Sequence, residues 1–433
     1  MDGPVIEDGE VVVVDNLIEA VRPIRTPSNE RRDFGNAALL PGLINAHTHL
    51  EYTALRGFLE DVSFFPWIRT LNAVKANLKS EDWIDSAKLG ALECLASGIT
   101  TIADNTDSGA AFDAALWSGL RGRIYQEFFC IDHRTSIEEV VEDLVRKITR
   151  MSARTVKRLE IGISPHATYT INPAMFRAIR DDVRLRDLPV SIHIAESPAE
   201  SRLIEHGDGP FADMYRRREI VWQSPGVTPT RYAADQGILK SNSLLIHCVH
   251  QNEDDIALVE QSDASIIHCP KSNAKLGAGI APLTRWLKRR NLKIGIGTDS
   301  AVSNNSLDLF EEMRFALLLQ RGEQEMVEQI TALNLLTMAT SGGASALGID
   351  HLVGTLAPGK QADLIAVSFD GLHVVPASDP VKTVVYSSRA SDVKLTVING
   401  RVCYENGRFE SIDASTAIAA ASMIINKITT VEI

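Results

Sequence analysis

Two histidines separated by one residue close an apolar run near the N-terminus, in the sequence LINAHTH (residues 43–49). In a β-strand, side chains two positions apart point to the same side, so the imidazoles of His47 and His49 converge. Convergent imidazoles suit a borderline metal such as zinc or ferrous iron. The tripeptide alone is equally compatible with a buried strand end, so the rest of the sequence has to decide between the two interpretations.

Ligand-type side chains also lie at or directly after the carboxyl ends of four other apolar runs. These residues are His166, His193, His247 and Asp299, and Glu196 follows His193 by three positions. One strand-end histidine is more often a satisfied core residue, but packing alone does not explain polar residues at so many strand ends. Because a (β/α)8 barrel builds its active site from the carboxyl ends of its strands, we expect these side chains to meet there.

The pattern predicts a mononuclear metal site with an open position for water, whose ligands are His47, His49, His193 and Asp299. A metal ion there would lower the pKa of a coordinated water toward ~7. Glu196 is placed to take the proton as general acid and base, and His247 would hold the nucleophile from the opposite side. A second ion usually needs a bridging lysine after the fourth strand, and ISPH (residues 163–166) has none. We therefore expect one divalent ion, zinc in the first place, with iron or manganese as alternatives.

Eight short apolar runs provide the strands that position these residues. They lie at residues 43–47, 98–104, 122–129, 159–165, 188–195, 243–249, 264–270 and 292–299. Helical stretches separate most of them, and in residues 80–96 the apolar side chains recur at four-residue spacing. Apolar strands that alternate with helices indicate a parallel sheet buried on both faces. We predict an α/β fold, a TIM-like (β/α)8 barrel over residues 41–351, with an open doubly wound sheet as the alternative.

The two ends of the chain have a different pattern. Residues 1–40 contain VVVV, and residues 352–412 contain TVVYS (383–387) and the turn sequences Asn399-Gly400 and Asn406-Gly407. These features predict one small β-sandwich domain built from both chain termini, with TVVYS as one of its strands. Residues 413–433 are predicted to form a C-terminal helix and tail. The long interval of residues 196–240 is typical of a functional cover or an added element.

Composition excludes several classes of protein. The chain has 433 residues, 45% of them hydrophobic, and a formal net charge of −12 from 44 basic and 56 acidic side chains. This charge argues against a nonspecific grip on nucleic acid or an anionic membrane. The five cysteines are too scattered for a disulfide framework, and no apolar run approaches ~18 residues. We therefore expect a cytoplasmic protein without a membrane span.

Several longer motifs carry a resemblance to a known family. They are PGLINAHTHL, SPHATYT, HIAES, HCVH, HCPKSNAKLGAGIAPL and GTDSAVSNNSLDLFEEMR, and with GTLAPGKQADL they extend the match over residues 8–406. The sequence resembles the amidohydrolase superfamily, within it the cytosine-deaminase-like branch of adenosyl-nucleoside, aminodeoxyfutalosine and guanine-type deaminases and triazine hydrolases. The resemblance implies the same four metal ligands, Glu196 as proton shuttle and His247 as the residue that orients the nucleophile. It also implies a homo-oligomer, dimer or tetramer, that deaminates a small heterocyclic substrate, with Asp299 assisting proton delivery.

The resemblance also bears on the substrate. His166 matches a histidine that contacts the heterocycle, and Trp67 matches an aromatic wall of the pocket. Ala76 stands where adenosyl-nucleoside deaminases have an acidic ribose-binding residue, whereas HTHLEY, with Glu51, is more similar to the aminodeoxyfutalosine deaminases of menaquinone synthesis. We expect 6-aminodeoxyfutalosine as substrate. The alternatives are S-adenosylhomocysteine or methylthioadenosine, a guanine-type base, or a triazine that loses chloride or an alkylamine.

Other residues near the predicted site have two interpretations each. Glu51 and Arg56 either bind substrate or form an ion pair that braces the loop after the first strand. Trp67 either packs in the core or lines the pocket. Asn273 lies either in a loop that approaches the substrate or in an ordinary turn. Because aminodeoxyfutalosine carries a carboxylate, Arg56 and Arg134 are nominated as its cationic partners.

Overall fold

The computed structural model describes residues 3–24, 31–62, 64–410 and 412–428. The other positions of the predicted small domain and tail (residues 1, 2, 25–30, 411 and 429–433) lie outside the described residues, as does residue 63. Along the described part of the chain, no helix is both long enough and apolar enough to cross a membrane.

The central sheet is a ring of parallel strands in sequential order. Its strands are β4 (Leu43–His49), β5 (Ile99–Thr106), β6 (Arg121–Phe128), β7 (Leu159–Pro165), β8 (Val190–Ile194), β9 (Ser243–His247), β10 (Ser265–His268), β11 (Lys293–Ile296) and β12 (Asp299–Ser300). The last two segments form one interrupted eighth strand, because β11 pairs with β10 and β12 pairs with β4. The ring closes through this strand, which confirms the predicted (β/α)8 barrel and excludes the open sheet.

Helices follow the strands around the ring. They are α1 (Phe64–Lys75), α2 (Ser80–Ala96), α3 (Ala110–Ser118), α4 (Ile137–Ser152), α5 (Pro173–Asp181), α6 (Pro198–His206), α7 (Pro210–Arg217), α8 (Pro229–Asp235), α9 (Glu253–Ser262), α10 (Pro270–Lys275), α11 (Leu283–Trp286), α12 (Ala301–Asn304), α13 (Leu309–Gln324), α14 (Ala332–Met338) and α15 (Ser341–Ala346). A 3₁₀ helix, Leu50–Leu55, directly follows β4. The predicted helix over residues 80–96 has the same bounds as α2, and the long interval after β8 contains the three helices α6, α7 and α8.

The ring is packed with apolar side chains away from its carboxyl end. One buried cluster joins residues of five strands, namely Ile44, Ala46, Ala103, Tyr125, Leu244, Ile246 and Ile267, to side chains of α15. Because strands from all round the ring contribute to this cluster, it lies inside the ring. A packed interior of this kind gives the strand ends a rigid base, so side chains placed there keep fixed positions.

The two chain ends form the small β domain. Its five-stranded antiparallel sheet contains β3 (Ala37–Pro41), β13 (Leu364–Ser368), β14 (Val393–Ile398), β15 (Arg401–Glu405) and β16 (Arg408–Phe409). The hairpin of β1 (Gly9–Val14) and β2 (Leu17–Pro23) packs on this sheet through an apolar cluster that includes Ile18, Leu364 and Leu395. This arrangement confirms the predicted sandwich of the two termini, while its boundaries at residues 40 and 352 stay predictions. Asn399-Gly400 and Asn406-Gly407 turn between strands with positive φ angles, as predicted.

The predicted strand TVVYS is wrong. These residues belong to a helix, α16 (Pro380–Tyr386), because Asp379 caps its start by accepting a hydrogen bond from the Lys382 amide and Pro380 occupies the first turn. Val384 and Val385 are buried on this helix rather than in a sheet. The predicted C-terminal helix is present as α17 (Ala414–Met423) and α18 (Ile425–Ile428), and Lys427 forms an ion pair with Asp82 of α2.

Candidate metal centre

Four buried side chains meet at the carboxyl end of the ring. They are His47 and His49 of β4, His193 of β8 and Asp299 of β12, and their ligand atoms all lie within 4.8 Å of one another. Nε2 of His49 is 3.3 Å from Nε2 of His193, and Nε2 of His47 is 3.4 Å from Oδ1 of Asp299. The three imidazoles and the carboxylate therefore surround one point.

The chemistry of this cluster fits a metal ion. Within the described residues, neither ring nitrogen of His47 nor Nδ1 of His49 has a hydrogen-bond partner, although both side chains are buried. Burial lowers the pKa of both histidines, which keeps lone pairs on their rings. Burial opposes ionisation of Asp299, yet the nearby His47 imidazole holds its pKa well below the ordinary value. Three neutral imidazoles and a carboxylate form a ligand set for zinc, iron or manganese.

Hydrogen bonds behind the cluster fix the direction of its ligands. Nδ1 of His193 donates to the carbonyl oxygen of His166 at 2.8 Å, so Nε2 is the nitrogen left free to face the other ligands. Oδ2 of Asp299 accepts hydrogen bonds from the hydroxyls of Ser272 (2.6 Å) and Ser303 (2.8 Å), which leaves Oδ1 toward the histidines. Such partners orient metal ligands in proteins generally. The two serines were missed from the sequence, where they lie inconspicuously within HCPKSN and TDSAVS.

Glu196 and His247 lie beside the cluster. Oε1 of Glu196 is 3.7 Å from Nε2 of His247, and Nδ1 of His247 donates to Oδ1 of Asn273 at 2.8 Å. The backbone amide of Glu196 donates to Oε2 of the buried Glu200 at 2.8 Å, which fixes the turn that carries Glu196. Burial, together with the charge of Asp299, raises the pKa of Glu196 to about 8. A carboxyl group of this kind can both hold and release a proton near neutral pH.

The backbone leaves the strands in an unusual conformation at these positions. Ala195, His247 and Asp299 have φ angles of 50°, 73° and 60°, in the left-handed region that residues other than glycine seldom adopt. Backbone strain of this type clusters at functional sites, where the surrounding structure enforces it. The left-handed turn after Ile194 brings Glu196 back over the ring instead of letting it follow the strand direction.

Two of the predicted substrate contacts, His166 and Asn273, lie beside this region, whereas Trp67 is a buried residue of the hydrophobic core. The imidazole of His166 is half-buried, its Nδ1 is 3.1 Å from the Thr170 hydroxyl, and its ring centroid is 4.8 Å from that of His193. Asn273 contacts His247, as described above. Trp67 on α1 is only 8% exposed, and along the described chain its indole nitrogen has no hydrogen-bond partner. His166 and Asn273 are thus next to the metal ligands and the proton-transfer pair.

The carboxylate of Glu51 forms hydrogen bonds within the protein. It accepts hydrogen bonds from the Thr106 hydroxyl (2.6 Å), from the Asp107 amide (3.0 Å) and from both the amide and the hydroxyl of Ser108. The buried carboxylate therefore braces the loop between β5 and α3. These contacts favour the interpretation that Glu51 braces a loop over the interpretation that it binds substrate. Glu51 braces this loop through hydrogen bonds and not through an ion pair with Arg56.

The two arginines nominated as cationic partners of the substrate carboxylate form ion pairs with other residues of the protein. Arg56 forms an ion pair with Glu93 of α2, and Arg134 pairs with Asp132 and donates to the carbonyl oxygen of Arg218. The predicted ion pair between Glu51 and Arg56 is therefore wrong, because each residue is engaged by a different partner.

A group of residues that sequence reasoning missed lies on the other side of the histidines. The Tyr52 ring stacks on His49 with centroids 5.6 Å apart, and the Phe129 ring lies 4.7 Å from that of His166. The ammonium of Lys75 lies over both aromatic rings, 5.2 Å from the Tyr52 centroid and 5.8 Å from the Phe129 centroid. Tyr52 follows the HTHLE run, which is a usable signal, but nothing in the local sequence marks Lys75 or Phe129.

The chain is similar to known proteins along most of its length. The Amidohydrolase family pattern matches residues 38–403. A 5-methylthioadenosine/S-adenosylhomocysteine deaminase of Pelotomaculum thermopropionicum is 32% identical over 430 residues, which cover 97% of this chain and 94% of that protein. An adenosine deaminase from Xanthomonas campestris, solved with bound zinc, superposes with a TM-score of 0.86 at 27% identity, covering 98% of this chain and 95% of the other. An atrazine chlorohydrolase from Arthrobacter aurescens, also complexed with zinc, shares the fold, with a TM-score of 0.84, 24% identity and coverages of 97% and 96%.

Proposed function

The chain belongs to the amidohydrolase family, as its motifs predicted, and we propose that it is a metal-dependent deaminase that releases ammonia from a purine nucleoside-type substrate. The observation that carries this proposal is a protonatable, buried Glu196 facing the neutral His247 beside the four-residue ligand cluster. A purely structural metal site does not need a spare carboxyl group and a spare imidazole at its open side. The similarity to the Pelotomaculum deaminase supports the choice of reaction.

We infer that one divalent ion, with zinc as the first candidate and iron or manganese as alternatives, is held by His47, His49, His193 and Asp299. When bound, such an ion would supply the Lewis acidity that makes water nucleophilic near neutral pH. A second group of potential ligands, Glu127, His166 and His193, lies next to the first. It shares His193, whose Nδ1 already donates to a carbonyl oxygen and so has no lone pair to offer. This supports a single ion.

The residues around the cluster divide the proton transfers between them. Glu196 takes a proton from the attacking water and delivers it to the ring nitrogen next to the amine-bearing carbon. Burial lowers the pKa of His247 to about 4, so its ring stays neutral, and Nε2 can accept a hydrogen bond from the attacking water. Asp299 assists proton delivery to the departing ammonia. His166, at the edge of the cluster, is positioned to contact the heterocycle.

The proposed substrate is 6-aminodeoxyfutalosine. Ala76, which follows α1, is exposed and cannot accept hydrogen bonds from sugar hydroxyls as an acidic residue would. The run HTHLEY supports the same choice through the resemblance stated above. S-adenosylhomocysteine and methylthioadenosine are the second candidates, because a relative at 32% identity is a deaminase named for these two compounds. A guanine-type base and a triazine remain further alternatives, and the cytoplasmic location and the homo-oligomer stay predictions.

A panel of amines tests this proposal. The zinc-loaded protein is incubated with 6-aminodeoxyfutalosine, S-adenosylhomocysteine, methylthioadenosine, guanine and a chlorotriazine, and released ammonia or chloride is measured. We expect ammonia from the nucleosides, with the highest kcat/KM for aminodeoxyfutalosine. Chloride release alone, or no release from any nucleoside by metal-loaded protein, would overturn the proposal.

A further inference from the structure

The last residue of α1, Lys75, places a cation at the edge of the candidate site. We propose that Lys75 is a specificity-determining residue that binds a carboxylate of the substrate. This inference deepens the proposed function and rests on it, since it names the kind of nucleoside that the site selects. The pocket would favour a nucleoside whose substituent ends in a carboxylate over one with a neutral substituent.

The position of the ammonium group supports this role. Lys75 Nζ lies between the rings of Tyr52 and Phe129, at 5.2 and 5.8 Å from their centroids. Tyr52 stacks on the metal-ligand candidate His49, and Phe129 packs against His166, which is predicted to contact the heterocycle. The ring of Tyr52 therefore connects the ammonium of Lys75 to His49, and the ring of Phe129 connects it to His166. A substrate that reaches these two histidines passes within reach of Lys75.

The ammonium also has capacity for a further partner. Within the part of the chain that the structure describes, two of its three protons are used, one by the Tyr52 hydroxyl at 2.8 Å and one by Oδ2 of Asp107 at 3.3 Å. The Lys75 side chain is 21% exposed and that of Asp107 is 38% exposed, so the pair faces the outside. A substrate carboxylate would take the third proton and compete with Asp107. Phe129, which is 43% exposed, adds an uncovered ring face on which an aromatic part of the substrate can stack.

The arginines nominated from the sequence are not available for this role. Glu93 holds Arg56 and Asp132 holds Arg134.

The test compares one nucleoside in two charge states. Binding of 6-aminodeoxyfutalosine and of its methyl ester is measured by calorimetry on the zinc-loaded Glu196→Gln protein, and KM is measured on the protein with Glu196 intact. In both backgrounds, Lys75→Gln is compared with Lys75→Arg and with the control Lys88→Gln, whose lysine lies on the outer helix α2 beside Asp85. A fourth variant, Asp107→Asn, removes the competing carboxylate.

We expect Lys75→Gln to weaken the acid about tenfold more than the ester, as loss of one charge-assisted hydrogen bond implies. Lys75→Arg should keep the preference for the acid, and Asp107→Asn should increase it. An acid-to-ester ratio that is the same in Lys75→Gln and Lys88→Gln overturns the role of Lys75. If instead the acid binds through Lys75 but no nucleoside releases ammonia, the proposed deamination fails and the carboxylate site stands.

Discussion

The carboxyl oxygen Oε1 of Glu196 lies 3.7 Å from Nε2 of His247, beyond the length of a good hydrogen bond. The two side chains therefore do not form a hydrogen bond with each other, although both are buried. The remaining interactions of each residue hold it in place from behind, through Glu200 for the amide of Glu196 and through Asn273 for Nδ1 of His247. Two reactive atoms are thus kept free on the side that faces the ligand cluster, as acid–base chemistry on a bound molecule requires.

Replacing Glu196 with Gln should strongly reduce turnover and leave the metal in place. The amide keeps the size of the side chain but cannot shuttle a proton, so kcat should fall by about 10²–10⁴. Metal content by mass spectrometry and ammonia release on the same sample measure the two effects separately. Glu205→Gln, a partly exposed position on helix α6, which begins two residues after Glu196, is the control. A Glu196→Gln protein that retains more than a tenth of the normal turnover would exclude Glu196 as the proton shuttle.

Removal of the metal should reduce stability as well as activity. Among the described residues, both ring nitrogens of His47 and Nδ1 of His49 are buried without a hydrogen-bond partner. A bound ion stabilises the folded state by about 2.7 kcal/mol at 100 times its Kd. Chelation should therefore lower Tm, and added zinc should restore it. His193→Ala should remove this response, and His351→Ala, at an exposed position, should not. Equal responses of the two variants to chelation and to zinc would contradict the assignment of the ligands.

Much of the candidate site could be predicted because strand ends carry it. The apolar run before His47 and the carboxylate of Asp299 at the end of another run already implied a common rim, since parallel strands bring their carboxyl ends together. The orientation of Glu196 could not be predicted in this way. It depends on a left-handed turn at Ala195, and side-chain alternation holds only while the chain stays in the strand.

The errors have physical reasons of the same kind. TVVYS has the composition of a strand, but the cap at Asp379 and the proline after it start a helix, and tertiary packing overrides β propensity. Arg56 looked suitable as a ligand-binding cation because it is near His49 in sequence, yet it meets Glu93 of the neighbouring helix. Lys75 is 26 positions from His49 and reaches the site only through the packing of α1.

The role of Glu51 can be tested by measuring whether its replacement changes the free energy of unfolding or the KM for substrate. As a brace, it accepts hydrogen bonds from Thr106, Asp107 and Ser108. Glu51→Ala leaves these donors without an acceptor, so the free energy of unfolding should fall by about 1–3 kcal/mol. Chemical denaturation of this variant and of Glu51→Gln, which keeps one acceptor, measures the effect. A Glu51→Ala protein of normal stability whose KM alone increases would restore the substrate-binding interpretation.

The buried Glu312 on α13 should make stability depend on pH. Burial raises its pKa to about 8, although Asn304 donates a hydrogen bond to it and the charge of Lys271 opposes the shift. In the unfolded chain the group titrates near its ordinary pKa of ~4.3, so between these values the folded state binds more protons. The stabilising contribution is complete below pH ~4.3 and is lost as the pH rises through about 8.

The glutamine of Glu312→Gln cannot ionise, so this variant lacks the pH-dependent contribution. Both proteins are denatured with urea at pH 5 and at pH 8. From pH 5 to pH 8, the free energy of unfolding of the unmodified protein should fall relative to that of the variant. Glu323→Gln is the matched control, because Glu323 is exposed on the same helix α13. Its side chain stays in water when the chain folds, so the difference in the free energy of unfolding between the unmodified protein and Glu323→Gln should stay constant from pH 5 to pH 8. A constant difference for Glu312→Gln as well would show that the Glu312 carboxyl titrates normally in the folded protein.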